Sequence, residues 1–240
     1  MASTAQLIET AVKRFQEEVP ALQNLKLVFG LELRGRGDIQ LFRVELPGPS
    51  VRKDLSRDER VLVQMDRAEF NRHLNVPTVM RWLGGMADED ASNASFDRID
   101  TYQRELGFTF WIVERKADGA LLGFCGLKRA NAPGADAIAG EVEIGWRLRE
   151  DAWGQGIAKE AAIASLDLAF GRFGAPRVVA VTALGNFPSQ GLMTRLGMRR
   201  RADLDFIDQR FPAGSDVNPQ IVFVIEAAEW PAARASLASR

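Results

Sequence analysis

The chain has 240 residues, 46% hydrophobic and 26% charged, enough to bury a sizeable core and long for one average domain. Its 31 basic and 32 acidic residues leave a net charge of -1, which removes the general electrostatic argument for nucleic acid or a membrane surface as partner. A single cysteine, Cys125, and a single histidine, His73, exclude an intramolecular disulfide and supply no ligand cluster, so no metal is expected.

From the N-terminus, Leu7, Ile8, Ala11, Val12 and Phe15 recur at helical spacing between Thr4 and Glu18, and Pro20 ends the pattern; this predicts a helix. Leu25 to Leu33 and Ile39 to Leu46 read as strands joined through Arg34-Gly35-Arg36-Gly37-Asp38 into a hairpin, after which Pro47-Gly48-Pro49-Ser50 breaks the pattern. Helix and hairpin form an N-terminal extension over residues 1–58, expected to pack on a main domain over residues 59–240. Val61 to Met65 is a candidate first strand of that domain, with Asp66 capping a helix that carries Phe70 and Leu74. His73 lies on the same helix, and a surface or packing role is expected for it.

Thr78 to Trp82 reads as a short helix before Gly84-Gly85, and Ser95 to Leu106 as a longer one stopped by Gly107. Three consecutive strands follow, Phe108 to Glu114, Ala120 to Leu127 and Glu141 to Leu148, the first two flanking the turn Ala117-Asp118-Gly119. Cys125 lies in an apolar strand and reads as small core filler, not as a nucleophile. A helix running through Phe170 leads to Arg177 to Thr182, which should lie parallel to the strand ending at Leu148 because the helix supplies the crossover. Beyond Gly197, Met198 to Asp203 and Gln220 to Glu226 read as two further strands. No stretch reaches the length of a membrane span, and no charged-then-apolar segment opens the chain; with the unpaired cysteine this suggests the cytoplasm.

Between the strand ending at Leu148 and the next helix stands Trp153-Gly154-Gln155-Gly156-Ile157-Ala158. Two glycines permit a tight turn, and the first helical turn leaves N–H groups without internal acceptors, an arrangement suited to a pyrophosphate. A plain strand-to-helix turn would use the same glycines. The third glycine of a dinucleotide fingerprint is missing, and Lys159 is not part of a Gly-Lys-Ser/Thr phosphate loop.

The run Glu143-Ile144-Gly145-Trp146-Arg147-Leu148, followed by Trp153 to Ala161, resembles the central motif of the GCN5-related N-acetyltransferases (GNAT), especially the RimJ/RimL-type branch that acetylates ribosomal-protein N-termini. Val79 to Gly85, Leu122 to Leu127 and Asn186 to Gly197 keep the family's order, and the resemblance covers Asp66 to Glu229. It implies an α/β (α+β) fold with a mixed, twisted sheet flanked by helices. It also implies acetyl-CoA as co-substrate and transfer to a primary amine, on a protein or peptide N-terminus or a small molecule, by direct attack in a ternary complex. The N-terminal helix and hairpin also resemble those of sterol-carrier-like domains, with too little chain to enclose a lipid.

By the resemblance, the main chain of Trp146 and Leu148 pairs with pantetheine. The amides of Gln155, Gly156, Ile157, Ala158 and Lys159 face the phosphates, with Trp153 and Gly154 completing the loop; the Lys159 side chain also fits a solvated role. Asn186 would hold the pantetheine arm and Ser189 lie near the thioester sulfur, while both residue types also serve as helix N-caps. Glu143 matches an acidic position of the branch and is the candidate base, acting directly, through water, or by orienting the amine. Glu141 should share its face of the strand, and both also fit as solvent-facing carboxylates. The position of a tyrosine acid known in one subgroup, seven residues after Asn186, is Met193 here, and the only tyrosine is Tyr102. The leaving thiolate is then protonated by Ser189 or water, or departs unprotonated. A homodimer stays open. Two other readings are an acyl-CoA-binding or regulatory module without turnover, and a transferase fused to an N-terminal interaction module.

Overall fold

The computed structural model describes residues 3–18, 28–34, 39–45, 48–54 and 67–238. The chain divides into two compact units, Met1–Gln64 and Met65–Arg240. In the first, helix α1 (Thr4–Glu18) accompanies an antiparallel meander of β1 (Val28–Arg34), β2 (Ile39–Glu45) and β3 (Ser50–Asp54). The hairpin runs from Val28 opposite Glu45 to Arg34 opposite Ile39. The third strand corrects the expectation of a hairpin alone. Gly48 and Pro49 form the turn that lets Ser50 return opposite Glu45, so the proline sits where no ladder N–H is needed. Ile8 and Val44 are buried, with Ala5, Val12 and Val51 packed on them. The expected strand Val61 to Met65 and the Asp66 cap lie outside the described residues.

The second unit is a six-stranded sheet in the order β4-β5-β6-β7-β9-β8: β4 (Phe110–Glu114), β5 (Leu121–Arg129), β6 (Val142–Leu148), β7 (Arg177–Ala183), β8 (Arg199–Arg200) and β9 (Gln220–Glu226). Seven consecutive β5 residues, Leu121 to Leu127, are buried because both faces of this central strand are covered. Cys125 and Leu127 join a core with Ile144, Leu166, Val178 and Ile225. Phe124 faces a second cluster with Phe70, Leu74, Val79 and Phe96. Those residues come from α2 (Arg67–Leu74), the turn α3 (Pro77–Met80) and α4 (Glu89–Leu106).

Helix α4 starts six residues before the Ser95 expected from periodicity. The Asp88 carboxylate accepts from the Ala91 N–H at 2.8 Å and caps a polar first turn, and Gly107 ends the helix with φ 75°. The expected strand Met198 to Asp203 contracts to Arg199–Arg200, since Arg201 pairs with Asp203 and Leu204 N–H bonds back to the Arg201 carbonyl in a tight turn. Helix α5 (Ile157–Asp167), prolonged by a π-turn over Leu168–Arg172, crosses from β6 to β7, which pair in parallel as expected. Helix α6 (Phe187–Arg195) follows β7, and α7 (Trp230–Ala238), absent from the sequence reading, closes the chain with Trp230 buried and its indole donating to Asp167 at 2.8 Å. Among the described residues no helix is long and apolar enough to cross a membrane.

Candidate active site

The parallel pair at the centre of the sheet is short. β6 and β7 meet only at Val142 with Val178 and Glu143 with Val179, among the described residues. Beyond Glu143 the two strands part, so β6 from Ile144 to Leu148 turns an edge of main-chain groups without β7 partners toward the gap. The outer edge of β6 stays fully paired with β5, down to Leu148 opposite Gly123.

A cavity of ≈ 560 Å³ follows that gap, lined by Trp146, Leu148, Gly154, Gly156 and Ile157 on one side and by Asn186, Ser189 and Leu192 on the other. Gly154 and Gly156 have φ of 73° and 82°, a left-handed backbone that strains any other residue. A Cβ at either would meet no atom within 4 Å, so the loop stands open at its concave side. Gly156 is the N-cap of α5 and offers no side chain to the helix's first N–H groups, which lie at the positive end of its dipole. The Trp153 indole donates to the Leu148 carbonyl at 2.8 Å and the Gln155 amide to the Asp151 carbonyl at 2.6 Å; both side chains hold the loop in shape. The ionisable residues lining this cavity are Arg81, Arg147, Lys159 and Arg195, with no carboxylate among the lining residues. Arg81 and Arg195 were missed in the sequence because only the fold brings α3 and α6 beside the loop.

Asn186 caps α6: its Oδ1 accepts from the Ser189 N–H at 3.4 Å and its Nδ2 donates to Thr182 Oγ1 at 3.0 Å. The cap is therefore Asn186 and not Ser189. Ser189 lines the cavity from the first turn of α6.

A second, larger cavity of ≈ 740 Å³ shares Trp82, Leu83, Trp146, Arg147, Asn186 and Ser189 with the first. Its floor carries Glu143, whose Oε2 lies 2.5 Å from Lys128 Nζ across the β5–β6 ladder, both side chains being less than one-fifth exposed. Glu141 is drawn elsewhere, to Arg177 at 2.8 Å, and lines neither cavity; it precedes β6 and escapes the strand alternation that would have put it beside Glu143. Met193, at the position of the absent tyrosine, does face this cavity. Tyr102 reaches it from α4, its oxygen accepting from Asn131 at 3.0 Å, a position that only the tertiary fold shows. Asp208 is buried; against that burial, the side-chain and backbone donors of Arg210 hold its carboxyl below the usual range. His73 lines neither cavity.

Arg147 projects from β6 where the two cavities join. Its Cζ is 4.9 Å from the Phe124 ring centre and 5.7 Å from that of Phe70, and its Nη1 is 3.3 Å from the Met80 sulfur. Its Nε is buried without a hydrogen-bond partner, and burial pushes the guanidinium down to about 10.

A protein-family model described as an acetyltransferase (GNAT) domain matches residues 60–199, more than half of the chain. The chain is 29% identical over 140 residues to YkkB of Bacillus subtilis (strain 168), an alignment spanning 58% of this chain and 79% of YkkB. The crystal structure of a GCN5-related N-acetyltransferase from Brucella melitensis superposes with a TM-score of 0.57 at 20% identity, covering 91% of this chain and 90% of that one. The ribosomal-protein-S5-alanine acetyltransferase of Vibrio fischeri superposes with a TM-score of 0.53 at 14% identity, covering 83% and 98%. At such identities the two structures speak for the fold, and the family model with the splayed sheet and glycine loop adds the rest: the chain belongs to the GNAT acetyltransferase family.

Proposed function

We propose that this protein moves the acetyl group of acetyl-CoA to a primary amine by direct attack in a ternary complex. The carrying observation is the smaller cavity, which ends on the open N-terminus of α5 and is lined by four cations and no carboxylate. That lining fits a long ligand with a phosphate-rich end. Bound there, acetyl-CoA supplies the activated thioester. The N–H groups of Gln155 to Lys159 and the Lys159 and Arg195 side chains hold the phosphates, while Trp146 and Leu148 offer main-chain groups to the pantetheine arm along the unpaired edge of β6. The Leu148 carbonyl already accepts from Trp153, so its second lone pair and the Trp146 groups take that contact.

The acceptor amine enters through the larger cavity, because its lining meets that of the smaller one at Trp146, Asn186 and Ser189. Glu143 draws the ammonium in and passes its proton to water, with Lys128 holding the carboxylate in place. The Ser189 hydroxyl stands at the junction as proton donor to the departing sulfur. The branch resemblance favours a protein or peptide N-terminus, and a cytoplasmic site suits the buried free thiol.

Calorimetric titration of acetyl-CoA tests the reading. We expect saturable one-to-one binding to the native chain and none to Gly156→Glu, which puts bulk and negative charge into the loop. Unchanged affinity in the folded variant would refute the phosphate assignment. Glu143→Gln should bind acetyl-CoA normally and release thiol more slowly, by about 10²-fold or more; binding without any turnover in the native chain, across an amine panel, would favour the regulatory-module reading.

A further inference from the structure

Within the proposed acetyltransferase site, one residue is charged more than its surroundings warrant. The lining of the larger cavity carries Arg98, Lys128, Arg147 and Arg210 against Glu143 and Asp208, four cations to two anions. Lys128 is neutralised by Glu143 and Arg210 by Asp208, and Arg98 is exposed to solvent on α4. Arg147 is the remainder. No carboxylate lies within ion-pair distance of it among the described residues, its Nε has no acceptor, and its nearest neighbours are two phenylalanine rings and a thioether. Rings and sulfur favour a guanidinium weakly: Nη1 donates to the Met80 sulfur, and the Nε N–H is left unmatched. A half-buried cation whose Nε is buried without an acceptor is costly to keep unless something outside the chain completes it.

We infer that the acceptor is an amine that also bears a carboxylate and an apolar or aromatic body, with the carboxylate seated on the Arg147 fork. Three observations converge on this class. The guanidinium presents a planar pair of donors that matches a carboxylate bidentately. The excess positive charge of the cavity disfavours a polyamine, whose several ammonium groups would meet Arg147 and Arg98. The wall beside Arg147 is aromatic: Phe70, Phe96, Phe110 and Phe124 all line the cavity, Phe124 stacking on both Phe70 and Phe110. Glu143, on the same face of β6 and two pleats from Arg147 if Gly145 is counted between them, then receives the amine while Arg147 holds the acid. An amino-acid-like molecule presents both groups at once.

The inference rests on the acetyltransferase reading for the identity of the site, and its test separates the two. Phenylacetate and its neutral isostere phenylacetamide are titrated into the full chain without acetyl-CoA, followed by thermal shift and ligand-observed NMR. Phenylacetate should bind saturably and at least about tenfold more tightly than the amide, and Arg147→Met should abolish the preference. Equal affinity of acid and amide for the native chain, or a preference that survives in the folded Arg147→Met variant, would overturn the assignment. The native chain alone settles the first point even if the variant does not fold. Arg147→Lys, which keeps the charge but not the fork, should retain only part of the preference. Acetyl-CoA titrated into the same samples reports separately: its failure to bind the native chain defeats the acetyltransferase reading and leaves the carboxylate result standing. In turnover with acetyl-CoA, phenylalanine should exceed phenethylamine in kcat/KM by a similar factor in the native chain and lose that margin in Arg147→Met; a margin in favour of phenethylamine would overturn the inference.

Discussion

Cys125 shows how a residue's neighbourhood decides its chemistry. It is only 2% exposed, its sulfur lies 3.6 Å from the Ser165 hydroxyl, and burial pushes its thiol up to about 12, outweighing the lowering effect of the Ser165 contact. A thiol in that state is inert in the folded chain. Its folded value is raised, so its contribution to stability is intact below the unfolded thiol's ordinary value of about 8.5 and is lost as pH rises from there toward 12. The loss approaches about 1.4 kcal/mol per pH unit within that window. Melting curves from pH 8 to 11 should therefore fall more steeply for the native chain than for Cys125→Ala, and iodoacetamide should label Cys125 only after unfolding. Parallel melting profiles, or fast labelling of the native chain, would show a thiol more open than the packing indicates. Glu143 and Arg147 lie in the same strand two positions either side of Gly145, yet only their partners distinguish them: one is matched by Lys128, the other by nothing of opposite charge among the described residues. That difference is invisible in the sequence, where both read as polar positions of an alternating strand.

At the scale of elements, the candidate site is an interval between β6 and β7, whose borders the sequence shows and whose opening it does not. The glycine loop Trp153 to Ala158 could be read directly because its signal is local: two residues at positive φ between a strand and a helix. The strand-like run Glu141 to Leu148 likewise placed β6, and the apolar run Arg177 to Thr182 placed β7, each within one residue of the observed strand. What the sequence did not show is that the strands separate after two pairs, since register and splay depend on what packs around them. The helix α7 was missed because its residues carry little amphipathic pattern around Trp230, and β3 because Pro47-Gly48-Pro49 reads in the sequence as an end of structure, whereas Gly48 and Pro49 form a turn. Asn186 stood between two readings, cap or ligand contact, and geometry supplies the first without removing the second. The two readings can be separated by paired substitutions. Asn186→Ala removes the cap and should cost about 1 kcal/mol of stability. Asn186→Asp retains an acceptor for the Ser189 N–H and can accept from Thr182, so its melting point should stay near the native one. It also introduces a negative charge into a cavity lined by four cations, and acetyl-CoA affinity should fall about tenfold or more. If Asn186→Asp binds acetyl-CoA like the native chain, the residue is a cap alone.

The molecule as a whole consists of two units of unequal size. The clusters of the second unit run from Phe70 to Leu237 and join both faces of a six-stranded sheet, with fully buried Leu74, Leu127, Leu166, Leu196 and Ile225 among them. In the first unit, the buried apolar side chains among the described residues are Ile8 and Val44. A segment of some sixty residues lies at the size where one core barely offsets the conformational entropy of its own chain. The elements that line the candidate site, β6, the glycine loop, α5 and α6, belong entirely to the larger unit. Removing residues 1–58 should therefore leave a chain that unfolds cooperatively and binds acetyl-CoA within about threefold of the native affinity, because no residue proposed to touch the co-substrate is deleted. The excised segment, expressed alone, should show no cooperative melting transition. Loss of soluble, cooperatively folded protein on truncation would mean that the first unit is part of the enzyme's own core. An intact truncated enzyme whose turnover of a peptide acceptor drops while that of a small amine does not would instead mark the first unit as the part that engages the acceptor. Measured side by side, thermal unfolding, acetyl-CoA affinity and turnover on both acceptors distinguish a structural buttress from an acceptor-engaging module, because only the latter leaves the first two unchanged.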